Sequence, residues 1–203
     1  MLDIPLIPSG RSALLSLDCQ REVALPGGVL APPDTAAQAR FGVAIERGAR
    51  ALGVARGLGI PVIHLKVAFA PGYHGLNRTT PMGQKIVQRE ALLEGSRGAE
   101  IILDLAPTDD EVVLTKHMVS GFSGTDLDQV LRGLDAGTLI LMGLVTHLAV
   151  EGTARDAADR GYRVVVLGDA CASGDDRRHR TSLELLGRLG DVIQVASLSA
   201  TVG

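Results

Sequence analysis

The segment Leu139-Ile-Leu-Met-Gly143-Leu-Val-Thr146-His-Leu-Ala149-Val-Glu-Gly-Thr-Ala-Arg-Asp-Ala157 changes character halfway along. Its first part is apolar without polar alternation, as expected of a strand covered on both faces. Its second part mixes Ala with Glu, Arg and Asp in a helical pattern that Gly161 closes. Between them, Gly143 marks a tight turn, and Thr146 is placed to cap a helix that starts at His147. A strand that turns into a helix start aims backbone N–H groups beyond the strand end, where they suit an anion or a developing oxyanion. An ordinary strand-to-helix connection has the same spacing, and spacing alone does not separate the two.

Working outward, similar apolar runs occur at Ala13 to Leu17, Val62 to Leu65, Val112 to Leu114, Thr138 to Met142 and Arg163 to Leu167, with a weaker one at Val192 to Val195. Helical patterns lie between them at Asp34 to Arg56, Asp126 to Gly133, His147 to Arg160 and Asp176 to Arg188. Asp34 follows Pro33 as a helix start, and Gly57 and Gly59 end that helix before Pro61. This alternation predicts a doubly wound three-layer α/β/α domain with a six-stranded, mainly parallel sheet, spanning residues 1–203 as one unit. Residues 68–98 have no clean period and read as a long active-site excursion with one short helix around Gln84 to Leu93.

Composition narrows the function classes. A 46% hydrophobic and 21% charged chain is globular rather than disordered. A net charge of -3 and an aromatic content of 2% give no basis for nucleic-acid binding. The Arg177 to Arg180 cluster is flanked by Asp175, Asp176 and Glu184 and reads as a solvated helix face. Cys19 and Cys171 read as buried thiols of a reducing compartment. The start, with Pro5, Pro8, Ser9 and Gly10, does not resemble a signal peptide, and no apolar stretch is long enough for a membrane span. The expected location is the cytoplasm.

Ligands of open α/β sheets bind at the carboxyl ends of the strands, near the reversal of strand order. Asp18, Gln20, Lys66, Lys116, Thr146 and His147 all fall at or just beyond strand ends. A carboxylate and an ammonium at adjacent strand ends, such as Asp18 and Lys116, share a pocket where burial and attraction shift both groups. The plain alternative is a surface ion pair at the sheet edge.

With these residues in view, the sequence resembles the isochorismatase-like (cysteine hydrolase) superfamily. The resemblance is carried by Leu14-Leu-Ser-Leu-Asp18-Cys-Gln20, by Val113-Leu-Thr-Lys116 with Ser120-Gly-Phe122, and by Gly143 to Ala157, with Gly161-Tyr162 and Asp169-Ala170 in register. It implies that Asp18 is the catalytic acid/base and Lys116 its electrostatic partner. It further implies a cis bond at Leu144-Val145 and an oxyanion hole from the amides of Val145 and Ala149. The family often assembles as dimers or tetramers, so a homo-oligomer is expected.

The departure from the family pattern is Ala149, which stands at the nucleophile position. A methyl group cannot attack a carbonyl. Cys19 should point away from Asp18 on the strand, and Cys171 reads as a small core residue. The favoured reading is a hydrolase of a small anionic metabolite in which Asp18 acts as an acid on a vinyl-ether-type bond, without a nucleophile. The alternative is an amidohydrolase-derived pseudoenzyme or binding protein, or an amidohydrolase trapped by a cysteine-to-alanine replacement. A pure scaffold is disfavoured, because a desolvated charge pair without a task is costly.

Lys66 and Arg89 are candidates to hold the substrate carboxylate, with solvent-facing charges as the equal alternative. Phe122, Gln20, His147 and Tyr73 are candidates for substrate contact, Phe122 more strongly than Tyr73. For His147 a solvent contact at the helix end is the plainer role. Glu151 and Arg155 are spaced for an intrahelical pair. His64 and His74 lack the Asp-x-His spacing of metal-binding relatives, so neither a metal nor another cofactor is expected.

Overall fold

In a computed structural model, residues 6–32 and 34–203 are described; Pro5 and Pro33 lie outside them. Six strands form one sheet: β1 (Ser12–Leu17), β2 (Val62–Val67), β3 (Val112–Lys116), β4 (Thr138–Leu144), β5 (Arg163–Ala172) and β6 (Asp191–Ile193). The spatial order is β3-β2-β1-β4-β5-β6, and every pairing is parallel. The order reverses between β1 and β4, which makes their carboxyl ends the switch point.

The helices are α1 (Arg21–Ala24), α2 (Thr35–Gly57), α3 (Pro81–Gln88), α4 (Leu127–Gly133), α5 (Glu151–Asp159), α6 (Asp176–Leu186) and α7 (Val195–Thr201). Successive strand residues face opposite sides of a sheet, so a sheet covered twice needs apolar residues at every position. Leu14, Ile140, Met142 and Val165 accordingly pack with α2 and α7 in one core. Their neighbours Leu15, Leu139, Leu141 and Val164 pack with α4, α5 and α6 in the other.

The long helix α2 shows how local sequence sets this packing. Asp34 is its N-cap, its side chain accepting from the Ala37 amide at 2.8 Å. Ala37, Phe41, Ala44, Gly48, Ala51 and Ala55 recur at helical spacing and form the buried face. Apart from Phe41, these side chains are small and let the helix lie close to the sheet.

Several boundaries differ from expectation. β3 is an edge strand, and Val112 and Val113 are exposed rather than covered. β5 runs on to Ala172 past an irregularity opposite Leu141 to Gly143. β6 stops at Ile193, because Asp169 accepts from the Val195 amide and helps start α7 there. α3 begins earlier than expected, because Thr80 caps it by accepting from the Gly83 amide at 3.0 Å and Pro81 opens its first turn.

The 146–157 region also departs from a plain helix. Residues Thr146–Val150 form a π-helical turn before α5 begins. Thr146 makes no cap, since it is fully buried and its hydroxyl pairs with His179 Nδ1 at 2.9 Å. Such turns occur often at functional sites.

Candidate active site

Asp18 follows β1 directly and takes a left-handed backbone conformation, φ 53°. That region is unfavourable for most residues and tolerated best by Asn and Asp. The turn is held by the Asp18 amide, which donates to Leu65 O at 2.8 Å, and by the Gln20 amide, which donates to Asp18 O at 2.8 Å. Across from it, Gly143 sits so close to β1 that an added Cβ would lie 2.1 Å from Leu17 O. Only glycine allows that approach.

Lys116 ends β3, which is separated from β1 by β2. The two strand ends are therefore not adjacent, contrary to expectation. The long lysine stem reaches past β2 instead, and Nζ donates to Asp18 Oδ2 at 2.9 Å. Lys116 is only 1% exposed, and its other two donors go to the carbonyls of Met118 and Val119, each at 3.1 Å. An ammonium has three N–H donors, so this cation is saturated.

Asp18 Oδ1, in contrast, is buried without a hydrogen-bond partner. Burial pushes the Asp18 carboxyl above the ordinary aspartate range, against the pull of the Lys116 ammonium.

Asp18, Lys116, Val145 and Ala149 border one cavity of about 370 Å³. It opens at the carboxyl ends of β1 to β4, at the switch point, and it is within the usual size range of small-ligand sites. The Leu144-Val145 peptide bond on its wall is cis. Eight of its twenty lining residues (Phe69, Leu76, Asn77, Thr80, Met82, Gly83, Ile86 and Leu92) come from the 68–98 excursion, more than from any other single segment. Among the described residues no group of three or more His, Cys, Asp or Glu is placed to hold a metal ion. No helix among them is long and apolar enough to cross a membrane.

Residues 12–197 match the Isochorismatase domain family. The chain belongs to the isochorismatase family of hydrolases. Among curated relatives it is similar to the ureidoacrylate amidohydrolase RutB of Methylobacterium radiotolerans, 32% identical, with 94% of this chain and 79% of the relative covered. It is also similar to the maleamate amidohydrolase of Pseudomonas putida, 28% identical over 90% of this chain and 83% of the relative. Among solved structures, a cysteine hydrolase from Pseudomonas syringae pv. phaseolicola superposes with a TM-score of 0.85, at 29% identity, covering 98% of both chains.

Within this isochorismatase-family frame, four of the expected substrate contacts lie outside the cavity. Gln20 is fully buried and saturated: Nε2 donates to Val67 O at 2.7 Å and Ala99 O at 2.8 Å, and Oε1 accepts from the Val67 amide at 2.7 Å. It stitches β2 to the turn before residue 100. Tyr73 packs in the excursion's own small core beside Phe69, its hydroxyl donating to Ala91 O at 3.0 Å. Phe122 belongs to the core beneath α4 and α5, stacked near Tyr162 with the Arg160 guanidinium 4.6 Å from its ring centre. His147 pairs with Ser173 Oγ at 2.9 Å and borders a separate polar cleft with Glu151, Arg178 and Ser182. Burial, with Arg178 nearby, holds its imidazole below the usual histidine range.

Lys66 and Arg89 are not among the residues that border the cavity. Both cysteines are core residues. Burial pushes each thiol up to about 12, and Cys19 packs beneath α2 while Asp18 faces the cavity. Glu151 pairs with Arg155 at 2.8 Å, as its spacing implies. His64 is bound to Glu111 at 3.0 Å, and His74 is exposed.

The cavity also contains residues with no signal in the sequence. His117 is exposed at its edge, stacked 5.5 Å from Phe69. Leu30, Leu148 and Met118 supply apolar wall. Only the position of His117 directly after Lys116 could have pointed to it.

Proposed function

We propose that this isochorismatase-family hydrolase cleaves a vinyl-ether-type bond by acid catalysis, with Asp18 as the acid, water as the nucleophile and no covalent intermediate. The observation that carries the reading is the asymmetry of the Asp18 carboxyl. Oδ2 is fixed by Lys116, Oδ1 is buried without a partner, and the residue as a whole borders the cavity. Ala149, 2% exposed on the same cavity, offers no competing nucleophile.

The chemistry balances without another reagent. The Asp18 carboxylic acid protonates the terminal carbon of the enol ether, giving an oxocarbenium ion beside the new Asp18 carboxylate. Water adds to the cationic carbon, and its proton returns to the Asp18 carboxylate. The resulting hemiketal breaks its C–O bond to release an alcohol and a carbonyl compound. The positive charge forms next to the carboxylate that donated the proton, which favours the transition state over the bound substrate. Lys116 stabilises that carboxylate. The amides of Val145 and Ala149 orient the oxygen of the attacked group or of the water.

A second reading is supported by the names of the relatives, which are amidohydrolases. In it, the chain is a binding protein or pseudoenzyme that retains the acid and the lysine of an amidohydrolase without its thiol.

A panel of small enol ethers and amides, with the Asp18→Asn and Ala149→Cys variants, separates the two. The acid reading expects enol-ether turnover that falls by roughly 10²–10⁴-fold in Asp18→Asn. Full activity in that variant overturns it. So does an absence of enol-ether turnover combined with strong amide hydrolysis in Ala149→Cys, which is the outcome the second reading expects.

A further inference from the structure

We infer that this cavity selects an uncharged substrate with an apolar body and discriminates against carboxylates. The inference rests on the reading of this cavity as the catalytic one and specifies what enters it.

An anion site needs a cation or several N–H donors left over after the protein's own bonds are made. Among the described lining residues Lys116 is the only lysine or arginine, and all three of its donors are committed to Asp18, Met118 and Val119. A carboxylate entering beside Lys116 would also meet the Asp18 carboxyl. The hydroxyl of Thr80 donates to Asn77 O and accepts from the Gly83 amide. The Asn77 side-chain Oδ1 accepts from the Thr79 amide and hydroxyl, and its amide nitrogen belongs to an exposed residue, where water competes for its donors. His117 lies at the exposed edge against Phe69, where water competes for any charge. The amides of Val145 and Ala149 are engaged, in the reaction proposed above, with the oxygen of the attacked group or of the water. The other lining side chains are aliphatic or aromatic, and a carboxylate stripped of water against them without a partner is strongly disfavoured. An uncharged group loses far less, and the acid reaction proposed above starts from a neutral acid and a neutral ether.

The test measures binding rather than turnover, using matched pairs that differ in charge and little else: hexanamide against hexanoate and cinnamamide against cinnamate. Titration of the whole protein by ligand-detected NMR should show each amide bound at least tenfold more tightly than its carboxylate. Ala149→Phe, which fills the cavity, should abolish amide binding. His117→Gln should leave the preference intact. Met82→Arg, which adds a guanidinium at a half-exposed position on the cavity wall, should raise carboxylate affinity without raising that of the amides. Equal or tighter binding of the carboxylates by the unaltered protein overturns the inference, as does failure of both amides to bind.

The outcome is separable from the reaction. Amide preference without enol-ether turnover leaves the charge selectivity standing and removes the acid mechanism. Equal Asp18-dependent turnover of neutral and anionic enol ethers does the reverse.

Discussion

Replacing Lys116 with Met separates the ammonium from its stem. Met keeps most of the aliphatic volume, so packing changes little. Lost are the bond to Asp18 at 2.9 Å and those to the carbonyls of Met118 and Val119 at 3.1 Å. Met118 and Val119 are exposed, so water can replace part of what their carbonyls lose, and each bond is worth ~0.5–1.5 kcal/mol. An ionised Asp18 left alone would add to this, since stranding one partner of a buried pair costs ~3–5 kcal/mol. Asp18 avoids that cost by staying protonated, which makes the effect depend on pH.

The direction follows from the raised carboxyl. Asp18's folded value lies above its unfolded one, so its contribution to stability is complete below the unfolded value of ~3.9 and is lost as pH rises through the folded value. Without Lys116 the folded value rises further and the loss extends to higher pH. Urea unfolding should therefore show Lys116→Met destabilised by about 3 kcal/mol at pH 7, less at pH 5 and more at pH 8. Lys116→Met with Asp18→Asn should be less pH-dependent than Lys116→Met alone. A destabilisation below about 1 kcal/mol, the same at pH 5 and pH 8, would refute the reasoning, because exposed ion pairs behave that way.

Two other substitutions test how the site is held. Gly143→Ala places a Cβ 2.1 Å from Leu17 O at φ 134°, so β1 and β4 must separate. Thermal denaturation should register more than about 2 kcal/mol lost, and an unchanged melting temperature would show that the strands can yield. Gln20→Leu leaves the carbonyls of Val67 and Ala99 and the Val67 amide unpaired. Denaturation should report a loss of roughly 3 kcal/mol. Unchanged stability with weakened ligand binding would restore Gln20 to the substrate side.

The sheet was legible because its strands are covered on both faces and leave apolar runs that need no alternation. The carboxyl end of β5 was not, since Gly168-Asp169-Ala170-Cys171 has no strand signature and pairs only because β4 continues beside it. The convergence of Asp18 and Lys116 could be read from two strand ends and the family resemblance. Its geometry could not, because strand order lies in tertiary packing, and only the length of the lysine stem makes a pair across β2 possible. Phe122, Tyr73 and Gln20 were assigned to the pocket by their neighbours in sequence. Their directions are set by distant partners, Tyr162 and Arg160, Ala91, and Val67 with Ala99. The apolar walls of the excursion, which argue against an anionic substrate, carry no periodic pattern at all.

The acid reading requires the Asp18 carboxyl to hold its proton more tightly than an ordinary aspartate, despite the ammonium bonded to it. A ¹³C NMR titration of the aspartate carboxyls, with the Asp18 signal assigned by its disappearance in Asp18→Asn, measures this without needing a substrate. The expected midpoint lies above the ordinary aspartate value of 3.8. A midpoint at or below that value would mean that Lys116 keeps the carboxyl ionised, and no proton would be available for the reaction.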